Sequence, residues 1–193
     1  KLYEGGWSAV SWPVEYGGRN ADYIKWLIFE EEYYRAGAPG RVNQNGIFLL
    51  GPTIMEVGTE EQKAKFLPSM ASSEIVWGQA WSEPNAGSDL AGIRSKATRD
   101  GDDWILNGSK MWITNGNIAD VAIVWAHTDN GIEGFVVPTN TPGFKANLVK
   151  HKMSLRASIT SELVFENVRL PASAVLPEVQ TLRGPLSCLS EAR

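Results

Sequence analysis

The sequence predicts an α+β fold: a helical segment over residues 1–74, then an antiparallel β-barrel or sandwich over 75–176, then a connector at 177–193 leading into a third, helical domain. Three observations carry this prediction. Residues 22–37 place apolar side chains at helical spacing and end on Gly37. Thr59-Glu60-Glu61-Gln62 has the spacing of a capping box ahead of Ala64, Phe66 and Leu67. From Ile75 onward the texture changes to short β-branched and aromatic runs separated by turn residues.

In the first helix, Ile24, Leu27, Ile28 and Tyr34 form the apolar stripe, and the run Glu30-Glu31-Glu32 reads as a solvated face. Residues 43–56 are apolar enough for a buried helix, interrupted by Gly46, Gly51 and Pro52. The next helix spans about residues 60 to 67, with Pro68 marking its end. Strands are expected at Ile75–Trp77, Asp103–Leu106, Val121–Ala126, Gly134–Val137 and Glu162–Phe165. The turns between them include Arg99-Asp100-Gly101, Asp129-Asn130-Gly131 and Asn140-Thr141-Pro142-Gly143. Pro171, Pro177 and Pro185 punctuate the connector, and Gly184-Pro185-Leu186 reads as the lead-in to a helix that is cut off.

Composition narrows the class. The chain of 193 residues is 43% hydrophobic and 21% charged, as a soluble globular protein is. A net charge of −4 argues against a nucleic-acid partner held by bulk charge. No apolar run approaches the roughly 20 residues of a membrane span. The single Cys188 and the distant pair His127 and His151 offer no disulfide and no metal-ligand spacing. The first residues lack the apolar core of a signal peptide, so a bacterial cytoplasm or a mitochondrial matrix is the expected compartment.

Residues 79–116 carry the chemistry. In Glu83-Pro84-Asn85-Ala86-Gly87-Ser88-Asp89, Pro84 fixes φ and Gly87 permits φ > 0, so the backbone curls and presents Asn85 and Ser88 as donors. Such a loop suits a phosphate; it equally suits an ordinary turn. Asn107-Gly108 is a two-residue hairpin signal. Strand alternation beyond it puts Trp112 and Thr114 on one face and Met111 and Ile113 on the other. A Trp beside a Thr is either a stacking platform or a core Trp with a satisfied hydroxyl.

Together the two pieces resemble the flavin-contacting motifs of the acyl-CoA dehydrogenase family, through Trp-Ser-Glu-Pro-Asn-Ala-Gly-Ser-Asp at 81–89 and Trp-Ile-Thr-Asn at 112–115. The resemblance runs over nearly the whole chain, from the Trp12-Pro13-Val14-Glu15-Tyr16-Gly17-Gly18 segment onward. It implies FAD as cofactor, with Gln79, Trp81, Ser82, Gly87 and Ser88 along the flavin and its pyrophosphate and Trp112, Ile113 and Thr114 against the ring. Position 82 is Ser where many members carry Thr, which keeps the hydroxyl. The implied activity is α,β-dehydrogenation of an acyl-CoA thioester, with electron-transfer flavoprotein as acceptor.

In this family the fold runs helical, β, helical, and the catalytic base is a Glu from the last domain. No segment here matches that region, so the sequence resembles a fragment with both ends missing. Glu83 is expected to hold the turn, Asp89 to brace the loop, and Glu162 to lie at the surface; none is nominated as a base, and no metal ligand is named. Loss of the last domain implies exposed apolar faces and self-association.

The family resemblance also brings Ser88 to the acyl-CoA, and the resemblance to glutaryl-CoA dehydrogenases adds Arg193 at the end of Leu186–Arg193 and Arg41 for a distal carboxylate. Arg41 also reads as a solvated loop residue. Lys152-Met153-Ser154-Leu155-Arg156-Ala157-Ser158 belongs to the same resemblance. Residues before about 110 are more like another bacterial subgroup, which leaves a hybrid chain and a divergent member both open. A module without turnover is the alternative function.

Overall fold

The computed structural model describes residues 1–177, 179 and 186. Helix α1 spans Tyr23–Arg35 and starts at Asp22, whose Oδ1 accepts from the Lys25 amide at 2.9 Å. The aliphatic stripe expected to face the core, Ile24, Leu27, Ile28 and Tyr34, is exposed instead. The helix packs through a second stripe, Trp26, Phe29 and Tyr33. Phe29 stacks on Trp7 at 5.3 Å, and Trp26 meets Phe48 at 5.7 Å. Two apolar faces at helical spacing coexist in this segment, and the larger aromatic area is the one buried.

A π-helical turn over Gly46–Leu50 feeds α2, Gly51–Val57. Pro52 sits in the first turn of α2, where its missing N–H costs nothing. Gly51 is required by packing: a Cβ there would lie 2.0 Å from Trp12 Cζ2. Helix α3, Glu60–Ser72, opens with the expected capping box, Gln62 N donating to Thr59 Oγ1 at 3.1 Å and Thr59 N to Gln62 Oε1 at 3.0 Å. It does not stop at Pro68. Its last turn buries Met70 and Ala71, and that burial offsets the backbone bond the proline removes.

Seven strands form one sheet: β1 Trp77–Ala80, β2 Lys96–Asp100, β3 Asp103–Thr114, β4 Val121–Thr128, β5 Gly131–Pro138, β6 Phe144–Leu148 and β7 Thr160–Leu170. The sheet is mixed, not wholly antiparallel, because β1 and β2 both pair with β4 in parallel. They share one edge of β4: Ala80 is opposite Val124, and Lys96 is opposite His127. The chain leaves that edge at residue 81 and rejoins it at 96. The loop between, with the Glu83–Asp89 motif, therefore stands out from the middle of the sheet.

Strand β4 is apolar at every position from Val121 to Ala126 because both of its faces are covered. Val121, Ile123 and Trp125 pack against Ile54, Leu67 and Met70 of the helices. Ala122, Val124 and Ala126 face Leu106, Phe135 and Leu163 inside the curl of the sheet. Asn107-Gly108, read as a hairpin, lies within β3 at a register shift opposite β7. Gly108 has φ +140, and a Cβ there would sit 2.4 Å from Ser95 Oγ, so the glycine serves a close backbone approach. The tight turn falls at Gly101, between β2 and β3.

Helices and sheet are joined by Asn43, which is fully buried. Its Nδ2 donates to the carbonyls of Met70 (2.9 Å) and Ile75 (3.0 Å), and its Oδ1 accepts from the Trp77 amide at 3.0 Å. Among the described residues no helix is long and apolar enough to cross a membrane. Asn43→Ala leaves three backbone groups unpaired at that junction and is expected to cost roughly 2–5 kcal/mol, read from the urea midpoint. A loss below about 1 kcal/mol would mean that the junction is held elsewhere.

Candidate functional site

A cavity of about 610 Å³ opens between the 81–95 loop, the end of β3 and the π-helical turn. Gln79, Trp81, Ser82, Gly87, Ser88, Trp112, Ile113 and Thr114, the residues named from the sequence for a flavin, all line it. Asn45 and Leu49 complete the wall from the helical side, and Leu186 and Leu90 also reach it. Of the three residues named for substrate, the structure brings only Ser88 here. Arg193, like Cys188 and Glu191, lies outside the described residues.

Arg41 is neither a solvated loop residue nor a lining residue of this cavity. Its side chain is 6% exposed and donates through both terminal nitrogens to Glu30, at 2.9 and 3.0 Å. The guanidinium lies over the Tyr33 ring at 4.2 Å. Glu30 consequently leaves the solvated face to which its neighbours Glu31 and Glu32 belong. A paired, stacked arginine is spent on anchoring α1.

The loop is built on a four-residue turn, with Glu83 N donating to Ala86 O at 2.7 Å and Ala86 N to Glu83 O at 3.1 Å. The left-handed φ expected at Gly87 is not used; Pro84 and Asn85 make the reversal. A Cβ at Gly87 would project into open space, meeting nothing within 4 Å, so no contact within the protein requires a glycine there. Asn85 and Ser88 stay exposed, as donors on a curled loop should be.

Beneath the loop lies a buried charge pair. The Glu83 carboxylate accepts from Arg94 N at 2.5 Å, Ser95 N at 2.9 Å and Lys110 Nζ at 2.9 Å. Lys110, on β3, is wholly buried and donates also to the Trp81 carbonyl at 3.0 Å. Met111 N donates to Ser82 O at 2.8 Å. One ammonium thus ties the loop motif to the strand motif. Burial pushes the Glu83 carboxyl up, but Lys110 and the two amides outweigh it and hold it below its ordinary value. Burial lowers Lys110 from 10.5 to about 8, against the pull of Glu83. Lys110 is a residue that sequence reasoning missed; the signal was a lysine at a core position of a strand, with a carboxylate available in the preceding loop.

Simple alternation fails at the end of β3. The register against β7 shifts between Lys110 and Ile113, and Trp112 takes φ +64. That is a bulge, with a bulky residue in the left-handed region, a conformation that costs on the order of 1–3 kcal/mol. Its effect is to aim Trp112 outward, 61% exposed, while Ile113 drops into the interior of the curl. Trp81 behaves otherwise: its ring stacks on Trp125 at 5.0 Å, within the core. The cavity joins an exposed indole, hydroxyls and amides, and among the described residues no charged side chain lines it. It suits a flat heteroaromatic ring with polar edges.

Comparison with known proteins agrees with this geometry. Residues 1–74 match the model of the acyl-CoA dehydrogenase N-terminal domain, and residues 78–168 that of the middle domain. The chain is 41% identical over 175 residues to mitochondrial isovaleryl-CoA dehydrogenase of Pongo abelii, covering 86% of this chain and 41% of that protein. A glutaryl-CoA dehydrogenase from Mycobacterium smegmatis superposes with a TM-score of 0.85 at 48% identity, covering 99% of this chain and 49% of that one. A glutaryl-CoA dehydrogenase structure from M. smegmatis in complex with FADH2 gives 0.83 at 47% identity, covering 95% and 48%. The chain therefore spans about half the length of these relatives, or less.

Lys110→Met strands a buried carboxylate and is expected to cost about 3–5 kcal/mol, with Glu83→Gln in the same chain recovering part of the loss. A double variant as unstable as the sum of the singles would dismiss the pair. The lowered Glu83 pKa adds stability that is complete above about 4.5 and is lost as pH falls through the folded value. Urea midpoints of wild type and Glu83→Gln should therefore converge on acidification, and a gap still constant at about pH 3 would contradict it.

Proposed function

The chain belongs to the acyl-CoA dehydrogenase family, and on that premise we propose that it supplies the flavin-holding part of an FAD-dependent oxidoreductase that removes hydrogen across the α,β bond of an acyl-CoA thioester. One observation carries this reading: the loop and strand motifs, separated by more than twenty residues in sequence, line one cavity. The neighbour in complex with FADH2 supports the choice of cofactor. The residues present fit the group. Trp112 offers a face, Gln79, Ser82, Ser88 and Thr114 offer hydrogen bonds, and Gly87 leaves room for close approach.

Bound there, FAD supplies a two-electron acceptor for the β-hydrogen of the acyl chain. The chain's own residues bind and orient. Thr114 and Ser82 would hold polar ring edges, Trp112 would cover a face from water, and Ser88 would stand where loop meets substrate. No carboxylate lines the cavity among the described residues. A folded flavin-holding module without turnover is the reading that this observation favours for the chain by itself. Glutaryl-CoA as substrate is supported by the glutaryl-CoA dehydrogenase neighbour at 48% identity. Arg41 would serve its distal carboxylate only by exchanging it for Glu30. Electron-transfer flavoprotein is the proposed acceptor, and the exposed Ile24, Leu27 and Ile28 of α1 form a surface for self-association.

Purified chain given FAD is expected to retain flavin absorbance through gel filtration, and Trp112→Ala to weaken binding about 5- to 100-fold, the range of one lost stacking contact. Colourless protein would sink the flavin reading. Bound flavin with no dye reduction by acyl-CoA would select the module without turnover. By light scattering the average mass should rise with concentration and fall back in Ile24→Lys/Leu27→Lys; a wild type that stays monomeric throughout would contradict self-association.

A further inference from the structure

Three consecutive loop residues are bound by two consecutive residues of β3. Strand β1 ends at Ala80, opposite Val124, so the Trp81 carbonyl has left the ladder, and Lys110 Nζ supplies its donor at 3.0 Å. The carbonyl of Ser82 accepts from Met111 N at 2.8 Å. The carboxylate of Glu83 accepts from the same Lys110 Nζ at 2.9 Å. A single backbone bond at Ser82 would let the segment pivot about it. Bonds on both flanking residues, drawn to one nitrogen, remove that freedom, and an ammonium has the donors to reach a carbonyl and a carboxylate at once. Ser82 is left with its side chain on the cavity.

The same lysine stands where β3 departs from regular pairing. Lys110 is opposite Leu163 and Ile113 opposite Ser161, so three steps along β3 meet two along β7. The extra residue lets Lys110 and Ile113 both be buried while Trp112, between them, turns outward. The end of this side chain bears on Ser82 and its backbone leads into Trp112, the two walls between which a ring would lie.

Fold stability gives a weak account of a lysine at this position. Burying an ammonium and a carboxylate desolvates both, and well-packed apolar replacements are often as stable. A site for a flat ring, by contrast, must be held to within about 0.5 Å. We infer that Lys110 is a positioning residue of the cavity, holding the Trp81–Glu83 segment in register with the Trp112 bulge so that Ser82 and the indole meet the same ring. That the ring is a flavin rests on the reading above; that Lys110 sets the two walls does not.

The double variant Lys110→Met/Glu83→Gln removes both charges and separates positioning from a purely structural role. It is expected to fold. Without flavin, its proton–nitrogen correlation spectrum should show the Trp112 indole and the Ser88 and Thr114 amides displaced, with the Trp104 indole, inside the curl, in place. Its affinity for FAD, by equilibrium dialysis, should fall about tenfold or more. Val168→Ala, a core truncation away from the cavity, should lower the urea midpoint and leave FAD affinity unchanged. A double variant that does not fold, a folded one with wild-type FAD affinity, or an equal loss in Val168→Ala would overturn the inference. Wild type that takes up no FAD would sink the flavin reading instead. The resonances then decide alone, displaced in support of Lys110 and unmoved against it.

Discussion

The contact between Lys110 and Glu83 is the constraint on which the rest of the site depends. A lysine with no solvent exposure has lost its hydration, and its ammonium regains partners, among the described residues, from the Glu83 carboxylate and the Trp81 carbonyl. Replacement of such a pair by apolar side chains is often neutral or stabilising, so stability alone does not account for it. Its geometric effect is definite. Trp81 and Glu83 belong to the loop and Lys110 to β3, so this side chain joins the two walls of the cavity, together with the Met111 N to Ser82 O bond. The amides of Arg94 and Ser95, at the other end of the loop, bind the same carboxylate. The loop is therefore closed on itself through one carboxylate and pinned to the strand by Lys110, beside the Met111 N to Ser82 O bond.

Two departures from regular β structure place the functional side chains. The parallel edge of β4 is shared by β1 and β2, and the loop between them is what the sheet expels from its middle. The bulge at Trp112 then turns an indole out of a strand whose neighbours on either side, Lys110 and Ile113, are buried. Regular pairing through either segment would have produced an unbroken wall. Both departures are built around the double-sided core of β4, where Ile123 and Trp125 face the helices and Val124 and Ala126 face the interior of the curl.

Much of this was legible in the chain, and the misses share a cause. The capping box at Thr59, the Asp22 start of α1 and the strand runs follow from local rules, since cap chemistry and apolar period involve residues within a few positions of one another. The stripe chosen for α1 was the wrong one because a helix with two apolar faces does not say which of them meets a neighbour. Pro68 did not end α3, because the burial of Met70 and Ala71 depends on the sheet behind them. Asn107-Gly108 has hairpin composition, yet Ser95, remote in sequence, turned the glycine into a point of backbone contact. Arg41 had the composition of a loop residue until Glu30, eleven positions away, took its fork.

By itself the sequence determined the two motifs on which the proposed flavin reading rests, because loop donors and an aromatic strand are written as contiguous motifs and strand and turn chemistry act over short range. Only the tertiary structure decided that their residues share one cavity and that Lys110 couples them. Those are statements about register, burial and the partner of a charge, and each depends on which distant segment arrives at a given face.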